Sequence, residues 1–303
     1  MDNNANQNSR RETFAQSNRL VGLGYVLASA LIFSSAGLFV RAVDTDSWTI
    51  IFWRGLFAAL FTLAYIVWRK KTQPEISRMG KSGVAAAAIG ACGTIAFIPA
   101  FQHTTIANVS LIYAAAPFVS AVIIWIWMRE KPTAAVALAS LAAFAGVAMI
   151  FNGSVNTLNL RGDFMALWMT LMMAIYVCIY RRYPHTPAAG PAMLMSLFLL
   201  PVGIIMSNPL AATFEDIIVM GSFGLVFAVA SVTLAEGARR LPASETSLIS
   251  ALETPLAPIW AFLLLAELPG TWTLIGGAVI FVAVLASQWH DNRRARLVEG
   301  QAA

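Results

Sequence analysis

The sequence predicts an all-α membrane protein with ten transmembrane helices, arranged as two inverted five-helix repeats around a central cavity. Three observations support this prediction: apolar runs of membrane-spanning length, a one-sided distribution of basic residues, and a segment that recurs in the two halves of the chain. Of the 303 residues, 58% are hydrophobic and 12% are charged, and the mean hydropathy is +0.70. Ordinary soluble domains are far less apolar, so the composition indicates a bilayer.

Apolar runs of about 18 to 22 residues recur along the chain, and each can cross a hydrocarbon core of about 30 Å as a helix. Strands of a membrane barrel would alternate polar and apolar residues, and these runs do not. The polar segments 1–19 and 290–303 are predicted to be cytoplasmic tails, and no cleavable signal peptide is expected. The predicted spans lie near residues 20–43, 49–68, 83–101, 107–128, 133–151, 163–180, 188–206, 214–235, 243–266 and 271–289.

Basic residues fall almost entirely on one side of the predicted membrane. With a cytoplasmic N-terminus, seventeen Lys and Arg lie on cytoplasmic segments, two (Arg41 and Arg161) lie on the other side, and Arg54 lies within the second span. The positive-inside rule then predicts both termini in the cytoplasm. The net charge of +5 is dispersed over short loops beside the lipid bilayer, so no nucleic-acid partner is predicted.

Two segments of the chain, 110–132 and 247–269, repeat one another. Both begin with Ser-Leu-Ile and end with Glu-x-Pro at a constant offset of 137 residues, whereas Pro117 and Pro255 differ by 138. Each half contains five spans, an odd number, so the second half must enter the membrane in the opposite orientation. The loops agree, because the inner MREKP corresponds to the outer AELP, which lacks both basic residues. The predicted units are 20–155 and 156–289.

Prolines interrupt corresponding helices near the middle of the membrane. Pro117 lies ten residues into span four and Pro255 twelve residues into span nine, roughly 15 to 18 Å from opposite faces. Because a proline disturbs the carbonyl four residues earlier, Pro117 should free that of Tyr113, and Pro258 that of Thr254. Paired interruptions in inverted halves indicate the binding site of a transporter, and a packing kink is the alternative reading.

Glu253 is the only acidic residue deep in any predicted span, and the basic Arg54 lies about five residues into span two. An ionised carboxylate at the depth of Glu253 is costly unless it is paired or hydrated. Glu253 is therefore a candidate to take up and release a proton, or a structural carboxyl that hydrogen-bonds the kinked backbone or pairs with Arg54. Arg54 is a candidate for coupling or substrate binding, but its long side chain can also reach the outer surface.

Several motifs extend over nearly the whole chain. They are Arg54 in span two, Gly162-Asp163 opening span six, Tyr176 with Arg181 near its end, and Leu252-Glu253-Thr254-Pro255 in span nine. With the five-plus-five arrangement, they resemble the EamA-type exporters of the drug/metabolite transporter superfamily. This resemblance implies a bacterial inner-membrane exporter of amino acids and related metabolites, with a cavity lined by spans 1, 3, 4, 6, 8 and 9. One branch exports aromatic amino acids and also removes toxic organic cations.

The sequence departs from that family pattern at two places. IFSSAG replaces the usual Trp-Gly-Ser in span one, and AAAP at 114–117 has no glutamate to match Glu253, which argues against a symmetric mechanism with two carboxylates. Aromatic and methionine side chains in a cavity suit an amphipathic solute. The candidate cavity residues are Phe97, Phe101, Tyr113, Trp168, Met172, Tyr176, Ser250 and Glu253, with packing or lipid contact as the alternative for the aromatic ones.

Other functional classes find little support in these residues. The three histidines lie at span ends, and no metal motif, nucleotide-binding loop or carboxylate pair occurs, so neither enzyme activity nor a cofactor is expected. Phosphorylated substrates would require several Lys or Arg within spans. The sequence predicts a monomeric exporter of small metabolites, foremost amino acids with apolar or aromatic side chains. The alternative is a multidrug or organic-cation exporter coupled to protons through Glu253. Facilitated diffusion also stays open.

Overall fold

The computed structural model describes residues 20–70, 72–132, 134–154, 159–238, 240, 249–250 and 252–302, and all regular structure there is helical. Besides two short connecting helices, Thr72–Ser77 and Pro209–Ala211, this part of the chain forms ten helices, labelled α1 to α10. They are α1 Leu20–Arg41, α2 Ser47–Trp68, α3 Gly80–His103, α4 Ile106–Met128, α5 Ala134–Ser154, α6 Asn159–Arg182, α7 Ala189–Met206, α8 Phe214–Ala238, α9 Glu253–Leu265 and α10 Thr271–Ala302.

Eight of these helices, α1 to α8, are long and apolar enough to cross a membrane. Two shorter apolar helices, Glu253–Leu265 and Thr271–Ala286, correspond to the ninth and tenth predicted spans. Residues 241–248 and 251, which belong to predicted span nine, lie outside the described residues. The prediction of an all-α membrane protein is confirmed, with eight full-length spans and two shorter apolar helices in place of ten equal spans.

The first backbone N–H groups of a helix have no hydrogen-bond partner within the helix. In this protein, side chains from the loops accept hydrogen bonds from some of these groups. Asp46 begins α2, because its Oδ1 accepts hydrogen bonds from the N–H groups of Trp48 (2.9 Å) and Thr49 (3.1 Å). Glu75 lies in another segment of the chain and accepts from the N–H of Gly190 at the start of α7, at 2.9 Å. These bonds fix where the helices begin.

The helix contacts obey an approximate two-fold relation between the halves. Under this relation α1 corresponds to α6, α2 to α7, α3 to α8, α4 to α9 and α5 to α10. Several contacts then have a counterpart. The contact between α3 and α6 corresponds to the contact between α8 and α1, and the contact between α2 and α8 corresponds to that between α7 and α3. The contact between α4 and α6 corresponds to that between α9 and α1. The pairs α2 with α7, α4 with α9 and α5 with α10 map onto themselves. The fold is therefore a pair of interlocked repeats.

Small residues bring α5 and α10 into close contact. A Cβ on Gly146 of α5 would lie 2.6 Å from the carbonyl oxygen of Gly276 in α10, closer than real side chains approach backbone. Ala139 and Ala143 on α5 are buried, with exposures of 6% and 0%. These small residues allow the backbones of α5 and α10 to touch, as in other helix pairs within a bilayer.

Serines interrupt α1 near its middle. The hydroxyls of Ser34 and Ser35 donate to the carbonyls of Leu31 and Ile32, both at 2.7 Å, and helical geometry is interrupted at Ser35. Such back-bonding often bends a helix. The Trp260 indole of α9 donates to the Ser34 Oγ at 3.0 Å, so the unusual IFSSAG segment forms a contact between the two halves.

Candidate functional site

We call the end of the bundle that carries the α1–α2 loop the outer end, after the orientation predicted from the charges, and the opposite end the inner end. Between them, α4 is interrupted at Ala114–Ala115 and resumes at Ala116, while α9 begins at Glu253 after a turn residue, Leu252. The two helical segments thus start 137 positions apart, as the repeat predicts.

The prolines occupy a different place in these helices from the expected one. Pro117 lies in the first turn of the segment Ala116–Met128, and Pro255 in the first turn of α9. In a first turn the missing N–H has no helical partner to lose, so a proline is well tolerated there. Each interruption lies directly N-terminal to its proline, on the side where a proline disturbs the preceding backbone. Pro258 does lie inside α9.

A cluster of polar aromatic side chains adjoins the two interruptions. Tyr113, the last residue before the break in α4, lies close enough to Glu253 and Tyr176 for electrostatic interaction with both. The ring of Tyr176 lies 5.0 Å from that of Tyr180, measured between centroids. Within the described part of the chain the carboxylate of Glu253 has no hydrogen bond and no ion pair, and Arg54 is not its partner. Tyr113 thus lies near two other predicted candidates, Glu253 and Tyr176.

A second cluster surrounds Arg54 on α2. The residue is 2% exposed, so its side chain does not extend to the surface. Its guanidinium carbon lies 4.2 Å from the ring centroid of Phe227, 4.9 Å from that of Phe223 and 5.9 Å from that of Phe97. The Arg54 Nε is buried without a hydrogen-bond partner, and the described residues offer the guanidinium no carboxylate. The site is a buried cation held among aromatic rings.

A glycine contact positions these rings. A Cβ on Gly224 of α8 would lie 2.9 Å from both the carbonyl oxygen of Arg54 and the backbone nitrogen of Ala58, so α8 approaches α2 at the level of the arginine. Phe223 and Phe227, one turn apart in α8, flank this contact. Sequence reasoning missed both phenylalanines. Their i, i+4 spacing beside a glycine in the helix that corresponds to α3 was the available signal.

The remaining predicted residues lie apart or only pack. Phe101 is 4% exposed and packs against Gly37 of α1, while Met172 is 7% exposed and packs against Gly93 of α3. Trp168 is 51% exposed, in an open groove of about 650 Å³ that Arg161 and Phe164 also line. Ser250 is half-buried and precedes the start of α9 at Glu253. Trp168 thus faces away from the buried clusters.

The Gly162-Asp163 motif forms a buried hydrogen-bond network at the outer end. Asp163 is fully buried and accepts hydrogen bonds from Thr104 Oγ1 at 2.6 Å and from Asn108 Nδ2 at 3.0 and 3.2 Å. Thr273 of α10 donates to the Asn108 Oδ1 at 2.6 Å. A Cβ on Gly162 would lie 2.6 Å from the backbone of His103 and Thr104. This carboxylate ties α6, α10 and the α3–α4 loop together.

Two ion pairs lie at opposite ends of the bundle. The outer ion pair joins Arg41 to Glu267 at 3.9 Å, and the other Glu267 oxygen accepts a 2.7 Å hydrogen bond from the N–H of Ile106. The inner ion pair joins Arg181 to Glu130. The glutamates are 137 positions apart, and the arginines belong to the corresponding helices α1 and α6. The outer pair is the more buried, with side-chain exposures of 36% and 16% against 54% and 52%.

Known proteins resemble this chain along most of its length. The model of the EamA-like transporter family matches residues 20–152 and again 160–287. Solute carrier family 35 member G1 of Homo sapiens is 22% identical over 290 residues, 87% of this chain and 77% of that protein. The Mus musculus protein of the same name is 27% identical over 179 residues, 54% of this chain and 48%, about half, of that protein.

A solved crystal structure of another protein matches the fold with a TM-score of 0.64 at 14% identity, over 92% of this chain and 98% of the other. The likeness is one of fold alone at that identity. The family model matches each half of the chain separately, as two related repeats require. The chain therefore belongs to the EamA-like transporter family, and it is a multi-pass membrane transporter of small solutes.

Proposed function

We propose that this transporter exports small metabolites, foremost amino acids with apolar or aromatic side chains, across the bacterial inner membrane by alternating access. The observation that supports this most is the pair of interruptions before Ala116 and Glu253. Helices that are already interrupted can move their two halves separately. In inverted repeats, two such helices let one site open first to one side and then to the other.

The orientation follows from the basic residues, with both termini in the cytoplasm. The most extensive helix contacts, such as α3 with α6 and α5 with α10, join the two halves of one chain. A single chain thereby provides both halves of the alternating mechanism, and it acts as a monomer.

Charge supports amino acids as the substrate class. Among the described spans, Arg54 provides a buried guanidinium, and Glu253 provides a partly buried carboxylate without an ion pair. A zwitterion presents one charge of each sign, whereas a phosphorylated solute would need several cations. Glu253 begins α9, roughly 18 Å along the helix from its outer end at Leu265. A carboxyl at that depth can carry a proton during the change of access.

Efflux from proteoliposomes tests this function. The purified protein is reconstituted with a panel of labelled amino acids inside, with and without an imposed pH gradient. Glu253→Gln is compared with wild type, and Glu215→Gln, at an exposed position in the first turn of α8, is the control. We expect efflux that the gradient stimulates and that only Glu253→Gln uncouples. Equal efflux without a pH response in all three proteins would make Glu253 structural and the protein a facilitator.

A proton-coupled exporter of organic cations is the second candidate. It is favoured by the tyrosines near Glu253, because Tyr113 lies close to both Glu253 and Tyr176 and aromatic rings attract organic cations. Tetraphenylphosphonium in the same assay separates the two functions. Efflux of the cation without efflux of any amino acid would replace the first proposal with the second.

A further inference from the structure

We infer that Arg54 and the rings of Phe97, Phe223 and Phe227 form a binding site for the carboxylate of an amphipathic substrate. In this site the guanidinium holds the carboxylate, and the rings contact the adjoining apolar group. The inference deepens the proposed amino-acid export and rests on it, because it assigns the carboxylate end of the substrate to a particular side chain.

The hydrogen-bonding state of Arg54 is the first argument. A guanidinium carries five N–H donors in a fixed plane. The guanidinium carbon lies over the faces of three rings, at 4.2, 4.9 and 5.9 Å from their centroids. Ring faces attract the charge but do not accept the in-plane hydrogen bonds, and Nε is buried without an acceptor. The cation is thus held among aromatic rings, and its Nε–H donor lacks an acceptor.

The second argument is the kind of hydrogen-bond acceptor that suits the Arg54 guanidinium. A carboxylate matches the planar fork of arginine with two parallel hydrogen bonds, and such pairs are strong where water is excluded. Arg54 is the one Lys or Arg that is buried among the described spans. A single buried cation suits one negative charge. An organic cation would be repelled, so this site favours the amino-acid proposal over the alternative one.

The wider packing supplies an apolar region beside the guanidinium. Phe39 stacks on Phe223 with ring centroids 5.3 Å apart, and Phe33 packs edge-on to Phe227 at 5.6 Å. Phe33, Phe39 and Phe227 are only partly buried. Part of each ring surface is therefore not covered by other protein atoms, and an aromatic or branched aliphatic side chain is complementary to such a surface.

Binding to four related probes tests the inference on the detergent-purified protein. L-phenylalanine carries both charges, 3-phenylpropionate only the carboxylate, phenethylamine only the ammonium, and phenylalaninamide a neutral amide in place of the carboxylate. Equilibrium binding is measured for wild type, Arg54→Gln and Arg54→Lys, with Arg161→Gln as the control at an exposed arginine. Thermal unfolding shows which variants are folded.

We expect wild type to bind L-phenylalanine at least ten-fold more tightly than phenylalaninamide. We expect Arg54→Gln to lose this preference, Arg54→Lys to keep part of it, and Arg161→Gln to keep all of it. The comparison of acid with amide on wild type needs no variant, so a misfolded Arg54→Gln leaves the test intact. Equal binding of acid and amide by wild type, or an unchanged preference in folded Arg54→Gln, overturns the inference.

The same data separate this inference from the proposed function. Binding of 3-phenylpropionate that depends on Arg54, without binding or efflux of any amino acid, would support the carboxylate site and reject amino-acid export. Efflux of L-phenylalanine that is equal in wild type and Arg54→Gln would support export and reject the site. Absence of binding by every carboxylate probe rejects the site as well.

Discussion

Arg129 and Ala266 lie 137 positions apart, and both have left-handed backbone conformations, with φ of 58° and 52°. Each is the residue at which a helical segment ends, after Met128 and after Leu265. Non-glycine residues seldom adopt this conformation. Its recurrence at matched positions shows that the two halves share backbone geometry, including the turn that directs Glu130 and Glu267 towards their arginines.

Ala266→Gly should leave the stability unchanged or raise it. Glycine adopts the left-handed region without a steric penalty, and relief of that strain offsets the greater freedom of the unfolded chain. We expect the thermal unfolding midpoint in detergent to stay level or to rise. Ala261→Gly, at a buried position inside α9, is the control, and it should be destabilised by about 1 kcal/mol. An equal decrease in the thermal unfolding midpoint of both variants would contradict a strained backbone at Ala266.

Glu267→Gln should favour opening at the outer end. The carboxylate of Glu267 joins Arg41 of α1 to the N–H of Ile106, which starts α4, so a neutral amide weakens one junction of three helices. The test uses Tyr113→Cys in a chain whose own Cys92 and Cys178 are replaced by alanine. We expect a membrane-impermeant maleimide to label this cysteine faster from outside in Glu267→Gln.

Glu130→Gln supplies the matched change at the inner end, where the carboxylate pairs with Arg181. It should raise labelling of the same cysteine from the inside only. The inner effect should be the smaller, because both partners are about half exposed and exposed ion pairs contribute roughly 0 to 1 kcal/mol. Equal labelling from both sides in both variants would show that neither ion pair controls access.

Gly224→Leu should weaken substrate binding without touching the substrate. Its side chain would meet the α2 backbone at Arg54 and Ala58, so α8 must shift and carry Phe223 and Phe227 away from the guanidinium. We expect a KM for efflux at least ten-fold higher in a protein that still folds. Gly24→Leu is the control, since nothing lies within 4 Å of the position of its Cβ. An unaltered KM in Gly224→Leu would mean that the rings do not define the site.

Asp163→Asn should destabilise the protein more than any surface change of the same kind. The buried carboxylate accepts hydrogen bonds from Thr104 and Asn108. In asparagine an NH2 group replaces one of the two carboxylate oxygens, and this NH2 group cannot accept a hydrogen bond from either side chain. Loss of charged hydrogen bonds of this kind costs about 2 to 4 kcal/mol. Thermal unfolding measures the loss, and the exposed Asp44→Asn is the control. Similar unfolding midpoints for the two variants would contradict a structural role for Asp163.

Much of the fold could be predicted because bilayer thickness and the positive-inside rule act on local segments that can be recognised in the sequence. The restart of α9 at Glu253, 137 positions after that of α4 at Ala116, also follows from the repeat. The position of the prolines in the first turn of each restarted segment could not be predicted, because a proline pattern does not say whether the residue lies in a first turn or a helix interior. That the prolines cause the breaks stays a prediction.

The site was only partly accessible to sequence reasoning. Tyr113 lies near Glu253 and Tyr176, two other candidates for the predicted cavity, and the role of all three in substrate binding stays a prediction. The surroundings of Arg54 were not foreseen, because Phe223 and Phe227 approach it through Gly224, a tertiary contact between helices far apart in sequence. Trp168 illustrates the converse, because aromatic content alone does not distinguish an inward face from an outward one.

The contacts between the halves bear on how the protein is made. α3 packs mainly on α6, α5 on α10 and α2 on α7 and α8, so the helices synthesised first find their principal neighbours among those synthesised last. During translation the first five helices must therefore remain in the bilayer as separate, loosely associated segments until the second five arrive. A nascent chain arrested near residue 155 should consequently be recognised by membrane quality-control proteases as an orphan.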